Sequence, residues 1–280
     1  MSIKENHTAN ATTGDRRRIN ALKDLDLPRY VLLPGDPDRV NLMASQWTDA
    51  QVVELSRGYR AAVGTYDGVR IGAVSTMIGA PSLDNVFADL ARLGTDTFIR
   101  VGTCGTIREE IATGSLIIND ASVRLDGTTH FYVRNEYPAA ASFEVTFALA
   151  DAAASKNYQY RIGTGVTSGS FFAGQGRPGI NGYMSLQGEQ IFEEMRRAGA
   201  LNFEMETAAL LTLSRLFNFR AGSICSVIAN RMTGAWNDDG GIERACRVAA
   251  DALVRLTKWD AKTAESGRTT LTAASIRASE

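Results

Sequence analysis

The chain has 280 residues, 44% of them hydrophobic, and its 30 basic and 31 acidic side chains leave a formal charge of −1. That length allows one large α/β domain or two small ones, with a substantial buried core. Near-neutrality excludes a global basic field for a nucleic-acid backbone or an anionic membrane, so neither partner is expected and any anion must be held locally.

Residues 1–18 are polar and aperiodic and read as a flexible N-terminal segment, and residues 263–280 read as a flexible tail, leaving 19–262 as one folded domain. The apolar run Tyr30-Val31-Leu32-Leu33 predicts a strand that breaks at Pro34-Gly35-Asp36-Pro37, with Asp38 capping a short helix. Stretches 52–55, 61–66 and 69–75 follow as strands, the last two joined by an Asp67-Gly68 hairpin turn. A helix starts at Ser82, carries Val86, Leu90 and Leu93 on one face and stops at Gly94. Residues 97–101 form a strand that runs into a glycine-rich turn, Gly102-Thr103-Cys104-Gly105.

Further on, strands are predicted at 115–122, 162–166 and 221–228, and helices behind Ser142 to Ala154, at 191–198, 206–217 and 242–256. The alternation predicts an α/β fold, a single three-layer α/β/α domain on a mixed twisted sheet, with chemistry at the strand ends. There is no internal repeat and no linker.

Cys104, Cys225 and Cys246 form no C-x-x-C pair, and an odd number cannot be wholly paired within one chain, which fits a reducing cytoplasm. No apolar leader opens the chain, and no run reaches the ~18 apolar residues of a membrane helix, so a soluble cytoplasmic protein is expected. His7 and His130 are the only histidines and stand in no ligand-spaced cluster, so neither a zinc site nor a histidine triad is expected.

Four patterns carry chemistry. In Phe171-Phe172-Ala173-Gly174-Gln175-Gly176-Arg177 an amide and a guanidinium follow an aromatic pair. Gln175 donates and accepts, Arg177 only donates, and a uracil-like edge of carbonyls flanking an N–H matches both. Taken alone, the stretch is also an ordinary glycine-rich surface loop. Pro34-Gly35-Asp36-Pro37-Asp38-Arg39 offers a bare backbone N–H and a guanidinium at a strand end. A lone Pro-Gly-Asp is usually a simple turn, but Arg100 before Gly102-Thr103-Cys104-Gly105 supplies a second such corner, and the two can share one phosphate.

Neither corner is a Walker loop or a dinucleotide fingerprint. Asn202-Phe203-Glu204-Met205-Glu206-Thr207 sets two carboxylates at a helix start. One is accounted for by capping, leaving the other, Glu206, to accept from vicinal hydroxyls. Arg231 closes Val227-Ile228-Ala229-Asn230-Arg231 and alone would be a surface charge.

In this order the motifs LPGDPDR (33–39), RVGTCG (100–105), SVRLDG (122–127), FFAGQGR (171–177), NFEMET (202–207) and VIANR (227–231) resemble those of the nucleoside phosphorylases of the purine and uridine phosphorylase superfamily, above all its uridine-cleaving members. The likeness runs from about residue 30 to 256. It implies a pentosyltransferase that reversibly cleaves uridine or a related pyrimidine nucleoside with inorganic phosphate, giving uracil and ribose 1-phosphate in nucleoside catabolism and salvage, without cofactor or metal. By that resemblance Gly35, Arg39, Arg100 and Thr103 hold phosphate, with Arg57 entering from a neighbouring subunit of a homo-oligomer, a dimer or a trimer of dimers.

Thr103, Met205 and Glu206 would hold ribose, and Gly105, Phe171, Gln175, Arg177, Ile228 and Arg231 the base. Arg39, Arg100, Arg177 and Glu206 would be the catalytic set. The purine branch has an aspartate where this chain has Asn230-Arg231, which favours a pyrimidine.

Departures from the family's pattern are also present. Its N-terminal histidine has no counterpart, the nearest equivalents being Arg17 or Arg18. Gly58 stands where a cation-binding glutamate occurs in bacterial relatives, so no monovalent cation is expected. Gly169, Ala173 and Gly176 replace stiffer or acidic residues around the base loop, predicting a more mobile loop, and Cys104 replaces a threonine. The rival readings are a purine nucleoside phosphorylase, a nucleosidase of the same fold that uses water, and a catalytically silent nucleoside-binding protein.

Overall fold

The apolar runs pair into one ten-stranded mixed sheet in a computed structural model that describes residues 16–238 and 241–277. Its strands are β1 (Tyr30–Pro34), β2 (Thr48–Glu54), β3 (Arg60–Tyr66), β4 (Val69–Val74), β5 (Thr97–Thr106), β6 (Leu116–Leu125), β7 (Ala139–Ala140), β8 (Tyr160–Ser168), β9 (Asn202–Glu204) and β10 (Arg220–Asn230). β1 lies parallel to β4 and β5, and β5 runs parallel to β10 along its whole length. β10 pairs with β6, β6 with β8, β8 with β9, and β9 returns to the end of β5 at Gly105 and Thr106. Strands β5, β10, β6, β8 and β9 therefore close into a small ring, while β1 to β4 extend the sheet beyond it.

Helices cover both faces, which is why β1 is apolar and buried throughout rather than alternating. On one face α2 (Pro37–Ala44), α4 (Phe143–Ser155) and α7 (Ile242–Glu265) bury Val40, Met43, Leu149 and Leu253 against the sheet. On the other, α1 (Arg16–Asp24), α3 (Ala80–Arg92) and α6 (Thr207–Leu216) bury Leu22, Leu83, Leu90 and Leu210. α5 (Leu186–Arg197) packs Ile191 and Met195 on Val166 and Phe203 of the ring.

Several local expectations change. Asp36, not Asp38, caps α2: its carboxylate accepts the Asp38 N–H at 2.9 Å, and Pro37 takes the first helical position, where it loses no hydrogen bond. α3 starts at Ala80 rather than Ser82, with Pro81 in its first turn. Residues 102–105 are not a turn. They continue β5, with Gly102 facing Cys225, Cys104 facing Val227 and Gly105 facing Ala229 of β10. The glycines there serve close approach to other groups rather than chain reversal.

The boundary drawn at 18/19 falls inside α1, and that at 262/263 inside α7, which is followed by α8 (Ala273–Arg277). Leu271 and Ile276 pack on the core beside α7. Arg18 is 3% exposed and pairs with Asp89, Nη2 standing 2.5 Å from Oδ2, with its guanidinium 5.1 Å from the centre of the Tyr59 ring. That buried intrachain pair removes Arg18 as a stand-in for the missing histidine, while Arg17 is exposed on α1. Residues 1–15, His7 among them, and 278–280 lie outside the described residues.

Candidate functional site

The carboxyl ends of the parallel strands β1, β5 and β10 open into a cavity of about 640 Å³, a size suited to a small molecule. Gly35, Arg39, Arg100 and Thr103 line one part of it. A Cβ on Gly35 would stand 3.1 Å from the Met77 carbonyl oxygen, so the bare residue lets the turn after β1 pass close to Met77. Met77 itself adopts a left-handed conformation, φ 57°, an unusual backbone state of the kind that collects at binding sites.

Arg39, projecting from α2, donates to Thr103 Oγ1 at 3.5 Å, and among the described residues no carboxylate pairs with it. Burial, and more weakly the charge of Arg100, lower its pKa, with Asp36 opposing. Arg100 is 3% exposed and doubly paired, Nε to Glu204 Oε2 at 2.8 Å and Nη2 to Glu206 Oε2 at 2.6 Å. Burial works against its charge, but the Glu206 and Glu204 carboxylates outweigh it and raise the pKa. Its side chain lies flat over position 102: a Cβ on Gly102 would be 2.7 Å from Arg100 Nη2.

The two acids of 202–207 divide their work. Glu204 caps α6, its Oε2 accepting from the backbone N–H of Glu206 at 2.8 Å and of Thr207 at 2.9 Å, while Oε1 accepts from the Thr167 hydroxyl. Thr167 Oγ1 in turn accepts the Ala208 N–H at 2.7 Å. Glu206 is therefore free to face the cavity beside Met205, where it accepts from the Gly79 N–H and holds Arg100. Burial raises its pKa, against the pull of Arg100.

Gly105, Phe171, Gln175, Arg177 and Ile228 line the rest of the cavity. Gln175, 3% exposed, ends a short turn (Ala173–Gln175) that Gly176 closes in the left-handed region at φ 65°. The Arg177 guanidinium lies 4.6 Å from the centre of the Phe171 ring, and its Nε is buried without a partner, an open donor at the cavity. Burial lowers its pKa. Phe172 is exposed and lies outside the lining.

Two expected residues stand elsewhere. Arg231 does not line the cavity. It donates through Nη1 to the Gln175 carbonyl at 2.7 Å and lies between the rings of Phe192 and Phe203, at 4.4 and 5.4 Å. Burial and the nearby Arg177 pull its pKa down to about 10, still protonated at neutral pH. It braces the base loop rather than facing the cavity. Arg57 is exposed in the Ser56–Gly58 turn and also lies outside the lining within one chain.

Asn230 is fully engaged: Nδ2 donates to the carbonyls of Arg108, Glu109 and Ile111, and Oδ1 accepts from the N–H groups of Met232 and Thr233. It is a backbone clamp with nothing left for a ligand. Met77, Ile78, Phe203, Ala229 and Trp236 also line the cavity. Phe203 and Ala229 stand inside the motifs 202–207 and 227–231 but are not singled out there, and for Met77, Ile78 and Trp236 the sequence holds no periodic or motif signal, because they come from turns brought together only by the fold. Among the described residues no group of three His, Cys, Asp or Glu side chains stands close enough to hold a metal ion.

Residues 29–258 match the Phosphorylase superfamily. The chain is similar to the uridine phosphorylase of Thermococcus kodakarensis, 46% identical over 248 residues that cover 89% of each protein. It is 36% identical to the uridine phosphorylase of Escherichia coli over 74% of this chain and 83% of that one. A guanosine phosphorylase of Halorubrum lacusprofundi is 29% identical over 82% of this chain and 95% of its own length.

Proposed function

The chain belongs to the phosphorylase superfamily, and on that premise we propose that it cleaves uridine with inorganic phosphate, giving uracil and ribose 1-phosphate. The observation that carries the reading is a single cavity lined by Arg39 and Arg100, by Glu206, and by Gln175 with Arg177. Arginine forks suit a phosphate dianion, a carboxylate suits vicinal sugar hydroxyls, and the amide with the guanidinium suits the edge of uracil.

In the reaction a phosphate oxygen attacks the anomeric carbon and the bond to the base nitrogen breaks, its electron pair leaving with uracil. The arginine-held phosphate faces the positive charge that builds on the sugar, while Arg177 and Gln175 hydrogen-bond the negative charge building on the base. Glu206 holds the ribose in line between them.

Two arginines at one end of the cavity argue against a nucleosidase, whose water needs no anion site. The complete engagement of Asn230 argues against a purine, because no acid stands there to protonate its ring. Arg57, outside the cavity of its own chain, fits a homo-oligomer in which it serves a neighbour's phosphate. Three buried free cysteines fit a reducing cytoplasm, and none of the described helices is long and apolar enough to cross a membrane.

The test is chromatography of uridine incubated with the protein, with and without phosphate. Uracil and ribose 1-phosphate appear only with phosphate. Uracil released equally in both conditions overturns phosphorolysis, bound but intact uridine identifies a silent binder, and faster turnover of inosine than of uridine assigns the site to purines.

A further inference from the structure

Across the sheet end beneath the base site, one row of paired residues runs over three strands and on to an isolated bridge: Phe203 on β9 faces Gly105 on β5, Gly105 faces Ala229 on β10, and Ala229 bridges to Trp236. All four line the cavity. Paired residues point to the same side of a sheet, so Phe203 and Trp236 stand at the two ends of one row, successive strands being about 4.8 Å apart. Between them stand a hydrogen and a methyl group. Over Gly105 lie the Arg231 stem, with Cδ 3.4 Å and Cγ 3.5 Å from where a Cβ would be, and Arg177 Nη2 at 3.6 Å, so the floor left open between these arginines and Trp236 is at Ala229.

The two ends of the row differ. Phe203 is 2% exposed and covered by Arg231, whereas Trp236 is 59% exposed. Its position is nonetheless fixed. The chain folds back after β10 with Asn230 N–H bonded to the Ala235 carbonyl at 2.8 Å and Asn237 N–H to the Ile228 carbonyl at 2.9 Å, and the indole N–H donates to Asp238. A large aromatic held in place at a cavity rim, with its face bare, is a contact surface for a planar ligand.

We propose that Trp236 is the outer wall of the base slot, packing against the pyrimidine ring over Ala229 and facing the arginines that stand over Gly105, so that the slot admits one ring and disfavours two. The inference rests on the uridine-cleaving reading above and adds to it a residue that binds and selects the base. The test compares wild type with Trp236→Ala and Trp236→Phe in phosphorolysis of uridine and inosine. Trp236→Ala raises KM for uridine by about tenfold, as loss of one base-stacking aromatic does, and leaves KM for phosphate within about twofold. The inosine-to-uridine ratio of kcat/KM rises, and Trp236→Phe falls between the two.

Trp47 and Trp259 are buried, at 8% and 4% exposure, so the solvent-exposed component of tryptophan emission belongs to Trp236. Uracil with phosphate quenches that component in the wild type and has no such effect on Trp236→Phe. A wild type that leaves uridine intact overturns both readings. A working enzyme whose Trp236→Ala keeps its KM for uridine, or whose quench survives in Trp236→Phe, overturns the wall alone.

Discussion

Gly102→Ala tests whether the phosphate corner depends on a position that touches no ligand. Gly102 is not among the residues with positive φ, so alanine can take its backbone conformation without strain. The added Cβ, however, would stand 2.7 Å from Arg100 Nη2, 2.9 Å from Arg100 Cζ and 3.2 Å from Cys225 Sγ. Carbon contacts settle near 3.5–4.0 Å, so the guanidinium must lift by about 1 Å. It cannot do so freely, because Nε and Nη2 are held by Glu204 and Glu206.

A displacement of about 1 Å in a positioning group costs on the order of 100-fold in rate, or about 2.7 kcal/mol. We expect kcat/KM measured on phosphate to fall by that amount, with KM for uridine changed far less. Circular dichroism and thermal melting check that the fold is kept. In an Arg100→Lys background the planar fork is gone, so adding Gly102→Ala then costs much less than it does alone. Equal penalties in the two backgrounds, or wild-type kinetics in Gly102→Ala, would falsify the claim that the bare strand position exists to seat Arg100.

Three further outcomes follow from the same geometry. Arg177→Ala removes the charged donor from the base edge and lowers kcat/KM for uridine by about 1.5–3 kcal/mol, read in steady-state kinetics, and unchanged efficiency refutes its role. Arg18→Ala takes from the buried Asp89 its 2.5 Å ion pair and lowers the unfolding free energy by about 3 kcal/mol in urea titration. A loss within experimental error shows the pair to be dispensable.

Glu206→Gln addresses pH. Because burial raises the Glu206 pKa, the folded chain keeps this proton at pH values where the unfolded chain has released it. Its contribution to stability is thus full below the ordinary carboxylate value and is lost as pH rises through the raised one. The melting temperature of the wild type relative to Glu206→Gln therefore falls with rising pH above about 4.5. A difference that stays flat from about pH 4 to about pH 7 contradicts it.

What the sequence made legible were features written in local order. The alternation of apolar runs and helical periods was enough for the layered α/β fold, because strands covered on both faces must be apolar along their whole length. The arginines and glycines at the ends of β1 and β5 were legible as anion corners, because a bare N–H beside a guanidinium has few other uses. The prediction failed where tertiary pairing decides the outcome. Gly102-Thr103-Cys104-Gly105 has the composition of a turn, yet β10 pairs with all four residues, and the partner strand, more than 120 residues away in the chain, leaves no local trace.

Arg231 and Trp236 exchanged places for the same kind of reason. By sequence Arg231 is a cation at a strand end in a base-binding motif, while Trp236 lies in a stretch without pattern. The structure turns the arginine inward, where its guanidinium lies over two phenylalanine rings and donates through Nη1 to the Gln175 carbonyl. It turns the tryptophan outward, because Asn230 uses every hydrogen-bonding atom of its side chain to fold the chain back on itself. An arginine that holds the loop carrying Gln175 affects the base through geometry, and an indole at the cavity rim beside Ala229 affects it by contact. The two effects separate in measurement: Arg231→Lys, which keeps a charge but loses the stacked plane, disturbs the positions of Gln175 and Arg177 together and lowers kcat, whereas Trp236→Ala acts on KM for uridine alone.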